Sequence, residues 1–487
     1  MGVNRAWHGA SYIAGTWASP VGGGTLASTE KATGLELTVQ ALATGEDVDR
    51  AVRAAVEAQP RWAATTHDVR SGLLRRVATN LAQRSDEFAE WIVRETGGIR
   101  GKAEYEVNAA INELYEAAAL TTAATADVLP AHNPAKLNLV QRVPVGVVGV
   151  ITPWNFPLVL GMRAIAPAIA LGNTVVLKPS ELTPITGGYL LAELFAEADV
   201  PVGVFQMVTG MGDQAGSALV EHPDVAMVHF TGSTAVGKWI AGAASERLAK
   251  VSLELGGNNA FVVLDDADPD AASMVGAWSS FHYQGQTCIT ASRHIVARPL
   301  VDAYVQALAA RAKAITVGDP MQPQIGLGPM IGERQRDRAL AFIDQSVRMG
   351  AEIVEGGTHD GLFMRPTVMT GVTTDMPVYT EEVFAPVAPI VAVDSEEEAL
   401  ELTNSTRYGL VNAVFTGDVM RGLGFAEQVR SGMVQVNDTT CLDEPHIPFG
   451  GMGLSGAGGR AGGTANLEEF TERRWIGVQR GPVSYPY

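Results

Sequence analysis

The 487-residue chain predicts an α/β protein whose parallel sheet is wound in both directions. Three observations lead there. Past residue 136, short Val- and Leu-rich runs alternate with segments whose apolar residues recur every three or four positions. The apolar runs are continuous rather than alternating, as in strands buried on both faces. The length also exceeds what one core holds and predicts two to four domains, at roughly 100–200 residues each.

Residues 46–125 read as a helical layer: EDVDRAVRAAVEAQPRW, then RSGLLRRVATNLAQRSDEFAEWIVRETGG, then an Ala-rich run through NAAINELYEAAALTTAA. Gly97–Gly98 stops the second helix. KLNLVQRVPVGVVGVITPW (136–154) passes from alternation into a valine run, an exposed strand leading into a buried one. GNTVVLKPS, VFQMVTG, VAMVHFTGS and KVSLELGG follow as strands, with ITGGYLLAELFAEADV, DQAGSALVEHP and TAVGKWIAGAASERL as the helices between them. Such units build a parallel sheet with right-handed crossovers, and ligands then sit beyond the carboxyl ends of its strands. A second α/β series begins near NAFVVLDDADP (259–269) and runs to about 425, with RHIVARP, AEIVEGG and PIVAVDS as strands. The tail TERRWIGVQRGPVSYPY alternates again and is suited to pair with the 136–144 strand as an arm.

Composition narrows the function classes. Hydrophobic content of 46% and charged content of 18% are those of a soluble globular protein. With 35 basic and 53 acidic side chains the net charge is −18, so nucleic acid and anionic membranes are not expected partners. The start, MGVNRAWHGASYIAGTW, has no apolar run of signal-peptide length, and Ala6 stands where a myristoylation site needs Ser or Thr. The richest apolar stretch, VPVGVVGVITPWNFPLVLGM, is interrupted by three prolines. Two cysteines, Cys288 and Cys441, make no disulfide framework, so a cytoplasmic, reducing compartment is expected.

Chemistry gathers at strand ends. HFTGSTAVGK (229–238) offers Gly232, Ser233 and Gly237 where a strand meets a helix: an anion site of free N–H groups, or an ordinary turn. VVLKPSE ends a strand with Lys178 and then Glu181, suited to ribose hydroxyls or to a surface ion pair. LELGGNNAF puts Glu254 at an apolar strand end, as a general base raised by a dry pocket or as a solvated loop acid. TPWNFP holds Asn155 between Trp154 and Phe156, a rigid amide that matters only if it converges with Cys288 of GQTC. TEEVFAP and EPHIPFGGMGLSG carry Glu382, Phe384 and Phe449, which either pack or wall a pocket for a planar ligand. His282 is six residues from Cys288 without an evident Asn or Asp partner, and the nine histidines show no metal-ligand spacing, so no metal is expected.

Taken in order, TPWNFP, VVLKPSE, FTGSTAVG, LELGGNNAFVV, GQTC and EEVFAP resemble the NAD(P)-dependent aldehyde dehydrogenase superfamily, from about residue 10 to the end. DEPHIPFGG (443–451) and HGASYIAGTW further resemble its benzaldehyde and vanillin dehydrogenase branch. The resemblance implies a Rossmann-like doubly wound cofactor domain, an α/β catalytic domain and a small β-arm for oligomerisation. The corresponding division is 1–125, the N-terminal helical part of the cofactor domain; 126–144, an oligomerisation strand; 145–256, the NAD(P)-binding domain; 257–453, the catalytic domain; and 454–487, a C-terminal segment and arm. It also implies roles: Cys288 as nucleophile, Glu254 as base, and Asn155 with the Cys288 N–H as oxyanion hole. Lys178 and Glu181 fall to the adenosine ribose, and Gly232, Ser233 and Gly237 to the pyrophosphate loop. Glu382 falls to the nicotinamide ribose, with Phe384 and Trp154 beside it. Thiohemiacetal and thioester then follow, with hydrolysis rather than transfer to coenzyme A. Phe156 and Phe449, with Trp154, suit an aromatic aldehyde. A semialdehyde would want an arginine in the tunnel, and Arg163 is the nearby candidate. Glu181 favours NAD, with NADP possible, and the arms suggest a homodimer or homotetramer. The second glutamate that relatives often carry after SGxGR is replaced around Thr464, with Glu468 and Glu469 several positions later, so no relay acid is assigned.

Overall fold

The computed structural model describes residues 7–123, 125–482 and 484–486; the first six residues, including Ala6, lie outside them. Five parallel strands form the centre of the first sheet, in the order Phe205–Met207, Thr174–Lys178, Val147–Ile151, Met227–Thr231, Lys250–Glu254. Thr174–Lys178 is buried throughout and Val147–Ile151 at all but its last residue, which is why both are written in continuous valine and leucine. The chain winds away from Val147–Ile151 in one direction and then in the other. That reversal opens a crevice beyond the carboxyl ends of Val147–Ile151 and Met227–Thr231.

Each face of this sheet has its own core. Helix Pro157–Ala170, buried except at Leu160, packs on one face together with Arg100–Leu120. Val48, Val52 and Ala55 of Gly45–Ala63 and Ile240 of Thr234–Ser245 cover the other. The second sheet has seven strands, in the order Glu352–Glu355, Thr367–Thr370, Val387–Val393, Ala291–Ala297, Asn259–Val263, Val411–Phe415, Met433–Val436. All are parallel except the edge strand Glu352–Glu355. The tail strand Thr471–Gln479 pairs antiparallel with Lys136–Pro144 over nine residue pairs, and Ala126–Leu129 lies on the other side.

Three features differ from expectation. Residues 11–41 are not helical: Ser11–Ile13 and Thr16–Ala18 extend the edge of the first sheet, and Thr25–Thr29 pairs with Glu36–Ala41. The second helical run is two helices, His67–Gln83 and Ser85–Thr96. The break falls at Arg84, whose guanidinium is drawn to Glu87, Glu193 and Glu197, each at 2.8 Å. Finally, Gly456–Ala457 returns to the first sheet and pairs with Leu253 and Glu254, enclosing the end of that strand. Among the described residues no helix is long and apolar enough to cross a membrane.

Candidate active site

Asn155 lies in the turn between Val147–Ile151 and the helix that starts at Pro157, a proline at the position where its missing N–H costs nothing. The first N–H groups of that helix, from Leu158 (2.8 Å) and Val159 (3.4 Å), donate to the Glu106 carboxylate, which also suits the positive end of the helix dipole. Glu106 pairs in turn with Lys102; both side chains are fully buried, and the Lys102 ammonium donates to the Asn155 carbonyl at 2.8 Å. The same ammonium sits 4.3 Å from the Phe156 ring centre and 4.4 Å from that of Tyr283. The backbone of Asn155 is thereby clamped. Its side-chain amide gives one N–H to the Gln286 carbonyl at 3.1 Å, leaving the second N–H free, and its oxygen has no protein partner.

The loop before Cys288 is strained. Tyr283, Gln284 and Gly285 are consecutively left-handed (φ 48, 57 and 63°), a conformation that costs a non-glycine residue roughly 1–2 kcal/mol. Gln284 is held by donating to the carbonyls of Gly97 (3.0 Å) and Pro329 (2.7 Å). Gln286 accepts from the Ile331 N–H at 2.9 Å, and the Cys288 carbonyl accepts from Asn259 at 2.8 Å. Such over-determination marks a segment built to aim a side chain.

Glu254 ends its strand 6% exposed, with one carboxylate oxygen lacking a protein partner. Burial pushes its pKa up to about 8; Arg163 and Arg460 oppose that shift and Glu469 adds to it. Burial also raises the Cys288 thiol, reinforced by the Glu382 and Glu254 charges. Glu382 is pushed up to about 7 by burial, although the Gly257 N–H donates to it at 3.1 Å. A Cβ on Gly256 would meet the Glu382 carboxylate, so a side chain there would displace it from the Gly257 N–H.

Cys288 and Asn155 form the shared wall of two cavities. One, of about 150 Å³, is bounded by Trp154, Gly232, Ser233, Glu254, Glu382 and Phe384. It runs through Trp154, Gly232 and Ser233 into a groove of about 730 Å³ that reaches Lys178 and Glu181. The other is an apolar chamber of about 360 Å³ holding Phe156, Phe449 and Arg163.

In the groove the buried Lys178 ammonium pairs with Glu181 at 3.2 Å, and the Glu181 carbonyl accepts from Gln40 at 2.7 Å. Ser233 caps the helix Thr234–Ser245 by accepting from the Val236 N–H, so the positive end of that helix opens onto the groove. Trp154 meets Phe384 edge-on, with ring centres 5.4 Å apart, and Phe384 is itself left-handed (φ 54°). These groups make a fit for a dinucleotide: a helix N-terminus for phosphate, a buried cation beside a carboxylate for ribose, and a planar slot ending at Cys288.

Gly237 is the exception among the predicted residues. It lines neither cavity; it is buried against Leu255, where any Cβ would collide, so it serves the packing of helix on strand. His282 lines the apolar chamber but stacks on Trp278 with ring centres 4.4 Å apart. Reading the sequence missed Gln335 and Arg338, which bound the small cavity from the helix Glu333–Arg348 and carry no local signature. It also left Glu468 and Glu469 without a role. Glu468 turns outward to Arg142 and Arg473, whereas the short helix Ala465–Glu469 brings Glu469, 2% exposed, back under the first sheet, where Glu254 feels its charge.

Residues 17–476 match the aldehyde dehydrogenase family model. A benzaldehyde dehydrogenase [NAD(+)] of Pseudomonas putida is 45% identical over 96% of this chain and 95% of its own. A vanillin dehydrogenase of Amycolatopsis is 44% identical over 99% of both chains. A crystal structure of betaine aldehyde dehydrogenase from Staphylococcus aureus in complex with NAD+ superposes with a TM-score of 0.96 at 30% identity, covering 98% of this chain and 96% of that one. With sequence, fold and the cavity arrangement in agreement over nearly the whole length, this chain belongs to the aldehyde dehydrogenase family.

Proposed function

We propose that this protein oxidises an aromatic aldehyde to its carboxylic acid, with NAD as the preferred coenzyme, Cys288 as nucleophile and Glu254 as base. The observation that carries this reading is the position of Cys288 and Asn155 as the residues, among those described, common to the small cavity that opens into the groove and to the apolar chamber. An aldehyde in the chamber presents its carbonyl carbon to the Cys288 sulfur. As the S–C bond forms, the thiol proton passes to the Glu254 carboxylate, and the carbonyl oxygen takes its negative charge toward the free Asn155 N–H and the Cys288 N–H. A nicotinamide held among Trp154, Glu382 and Phe384 would supply the hydride acceptor for that adduct. Once Glu254 has released that proton to solvent, it takes a proton from the water that attacks the resulting thioester; the C–S bond breaks, Cys288 leaves as the thiolate, and the acid is released.

The chamber's size supports a ring. Roughly 150 Å³ of apolar space is enough to hold benzene, and here about 360 Å³ lies between Phe156, Phe449, Trp278 and Ile289. The named relatives that act on benzaldehyde and vanillin point the same way. Glu181 in the groove disfavours a ribose 2′-phosphate by charge repulsion, which supports NAD over NADP.

The arm supports assembly of two or four copies. Its strands expose Val128 (67%) and Trp475 (66%) in a three-stranded sheet with two open edges, a surface that a second copy would cover. Two unpaired cysteines, one of them the nucleophile, suit the reducing cytoplasm.

The test is nicotinamide reduction, followed by its near-ultraviolet absorbance, with benzaldehyde, vanillin, hexanal and succinic semialdehyde, each with NAD and NADP. Turnover of the ring aldehydes, absent in Cys288→Ala, is the expected result. Turnover of hexanal or the semialdehyde alone would remove the aromatic assignment. Activity persisting in Cys288→Ala would remove the mechanism. Light scattering after size exclusion reports the assembly, and a monomer would refute the role given to the arm.

A further inference from the structure

The apolar chamber contains two cations, and both are already taken. Lys102 is paired with Glu106, neither side chain having any exposure, and it also donates to the Asn155 carbonyl. Arg163, with a side chain only 5% exposed, faces two carboxylates at once. Its Nε donates to Glu113 at 2.9 Å, and its Nη2 donates to Asp443, on a loop far along the chain. The guanidinium carbon also sits over the Phe449 ring, 4.9 Å from its centre.

Guanidinium groups are the usual receptors for carboxylates, because their forked N–H groups match two oxygens. Here two of the guanidinium nitrogens, Nε and Nη2, already donate to the protein's own acids, which balance its charge. An aldehyde with a carboxylate at its far end would find no unpaired cation, and it would approach the negative charge of Asp443 and Glu113 in a site with little water. The desolvation of that carboxylate would go uncompensated.

We propose that Glu113 and Asp443 are specificity-determining residues: by occupying Arg163, they make the chamber take neutral aldehydes and refuse aldehydes that bear a carboxylate. This rests on the reading of the chamber as the aldehyde pocket. It converts the lone arginine, which by itself would suggest an acidic substrate, into the reason such substrates are excluded.

The test compares two ring aldehydes of nearly equal shape, 4-nitrobenzaldehyde and 4-carboxybenzaldehyde. The readout is the ratio of kcat/KM for the carboxylate to that for the nitro compound. For the wild type the ratio should be far below one. Asp443→Asn, which removes a charge and lengthens Arg163's list of free donors, should raise it by about tenfold or more, as one nearby charge in a poorly solvated site would. Glu113→Gln should raise it by a smaller factor. Adding Arg163→Met to Asp443→Asn should cancel the gain. An unchanged ratio in both single variants overturns the proposal, and so does a gain that survives Arg163→Met. A wild-type ratio near or above one overturns it with no variant at all, which covers the case in which a substitution prevents folding. If the wild type turns over no ring aldehyde, the aromatic reading fails by itself. The charge rule is then decided in the same way with hexanal against 6-oxohexanoate.

Discussion

The two sides of Cys288 are built by different means. On the nucleotide side, four predicted residues sit at or just past the carboxyl end of a first-sheet strand, Asn155 after Val147–Ile151, Lys178 closing Thr174–Lys178, Ser233 after Met227–Thr231 and Glu254 closing Lys250–Glu254, while Glu382 and Phe384 come from the loop before Val387–Val393. Parallel strands deliver such residues to one crevice automatically. The chamber side has no such regularity. Its walls come from the helix Arg100–Leu120, the helix Pro157–Ala170, the turn before Cys288 and the 441–449 loop. One side is a consequence of topology, whereas the other is assembled by packing alone. Chemistry can therefore stay in place while the chamber is reshaped around it.

The largest expected effect lies at the shared wall. Cys288→Ala should lower kcat by roughly a thousandfold or more, since loss of a covalent nucleophile removes the pathway. Binding of NAD, measured by calorimetry, should stay near the wild-type value, because the groove lies on the other side of Trp154 and Gly232. Loss of NAD binding in that variant would mean that the two sides are not separable.

Glu254 comes next. Its carboxyl is raised to about 8, so the group is protonated at neutral pH and ionises as the pH rises. Its base form accumulates above that value; kcat should therefore climb with pH and level off beyond about 8. Glu254→Gln should lose that limb and lower kcat by about 10²–10⁴-fold, the usual worth of a positioned base. A limb that persists unchanged in the variant would assign it to another group. Asn155→Ala follows at about 10²–10³-fold in kcat, with KM for the aldehyde little altered, as expected for a donor used mainly in the transition state. A change confined to KM would make Asn155 a binding group instead.

Legibility in the sequence follows the same division. The strand-end residues are readable because a motif and its element are contiguous, and the wound sheet brings them together. Gly237 was misassigned for a related reason: a glycine in a βα turn looks the same whether it clears a ligand or, as here, clears Leu255. Arg163 was visible as a charge, but its neutralisation was not, because Asp443 lies 280 residues away and no periodicity links them. The break at Arg84 is of the same kind. The side chain at the break pairs with Glu193 and Glu197, which belong to the helix Leu190–Glu197. Glu469 shows the limit of counting along the chain, since the short helix Ala465–Glu469 decides which of two adjacent acids comes near Glu254.

The smallest expected effect sits furthest from the sulfur. Glu181 shares its charge with Lys178 at 3.2 Å, and the Gln40 side chain holds its carbonyl, so the backbone cannot easily swing it clear of the groove. Glu181→Ala should leave kcat with NAD close to wild type, because nothing near Cys288 moves. It should release Lys178 for a 2′-phosphate and raise kcat/KM for NADP relative to NAD by about tenfold, the scale of one screened charge pair at a part-exposed site. The measurement is the ratio of the two coenzymes at saturating benzaldehyde. If the ratio stays fixed while both values fall, Glu181 holds Lys178 in place for either coenzyme; discrimination would then lie elsewhere in the groove. If the ratio shifts and benzaldehyde turnover does not, coenzyme choice and aldehyde choice are set on opposite sides of Cys288 and can be changed one at a time.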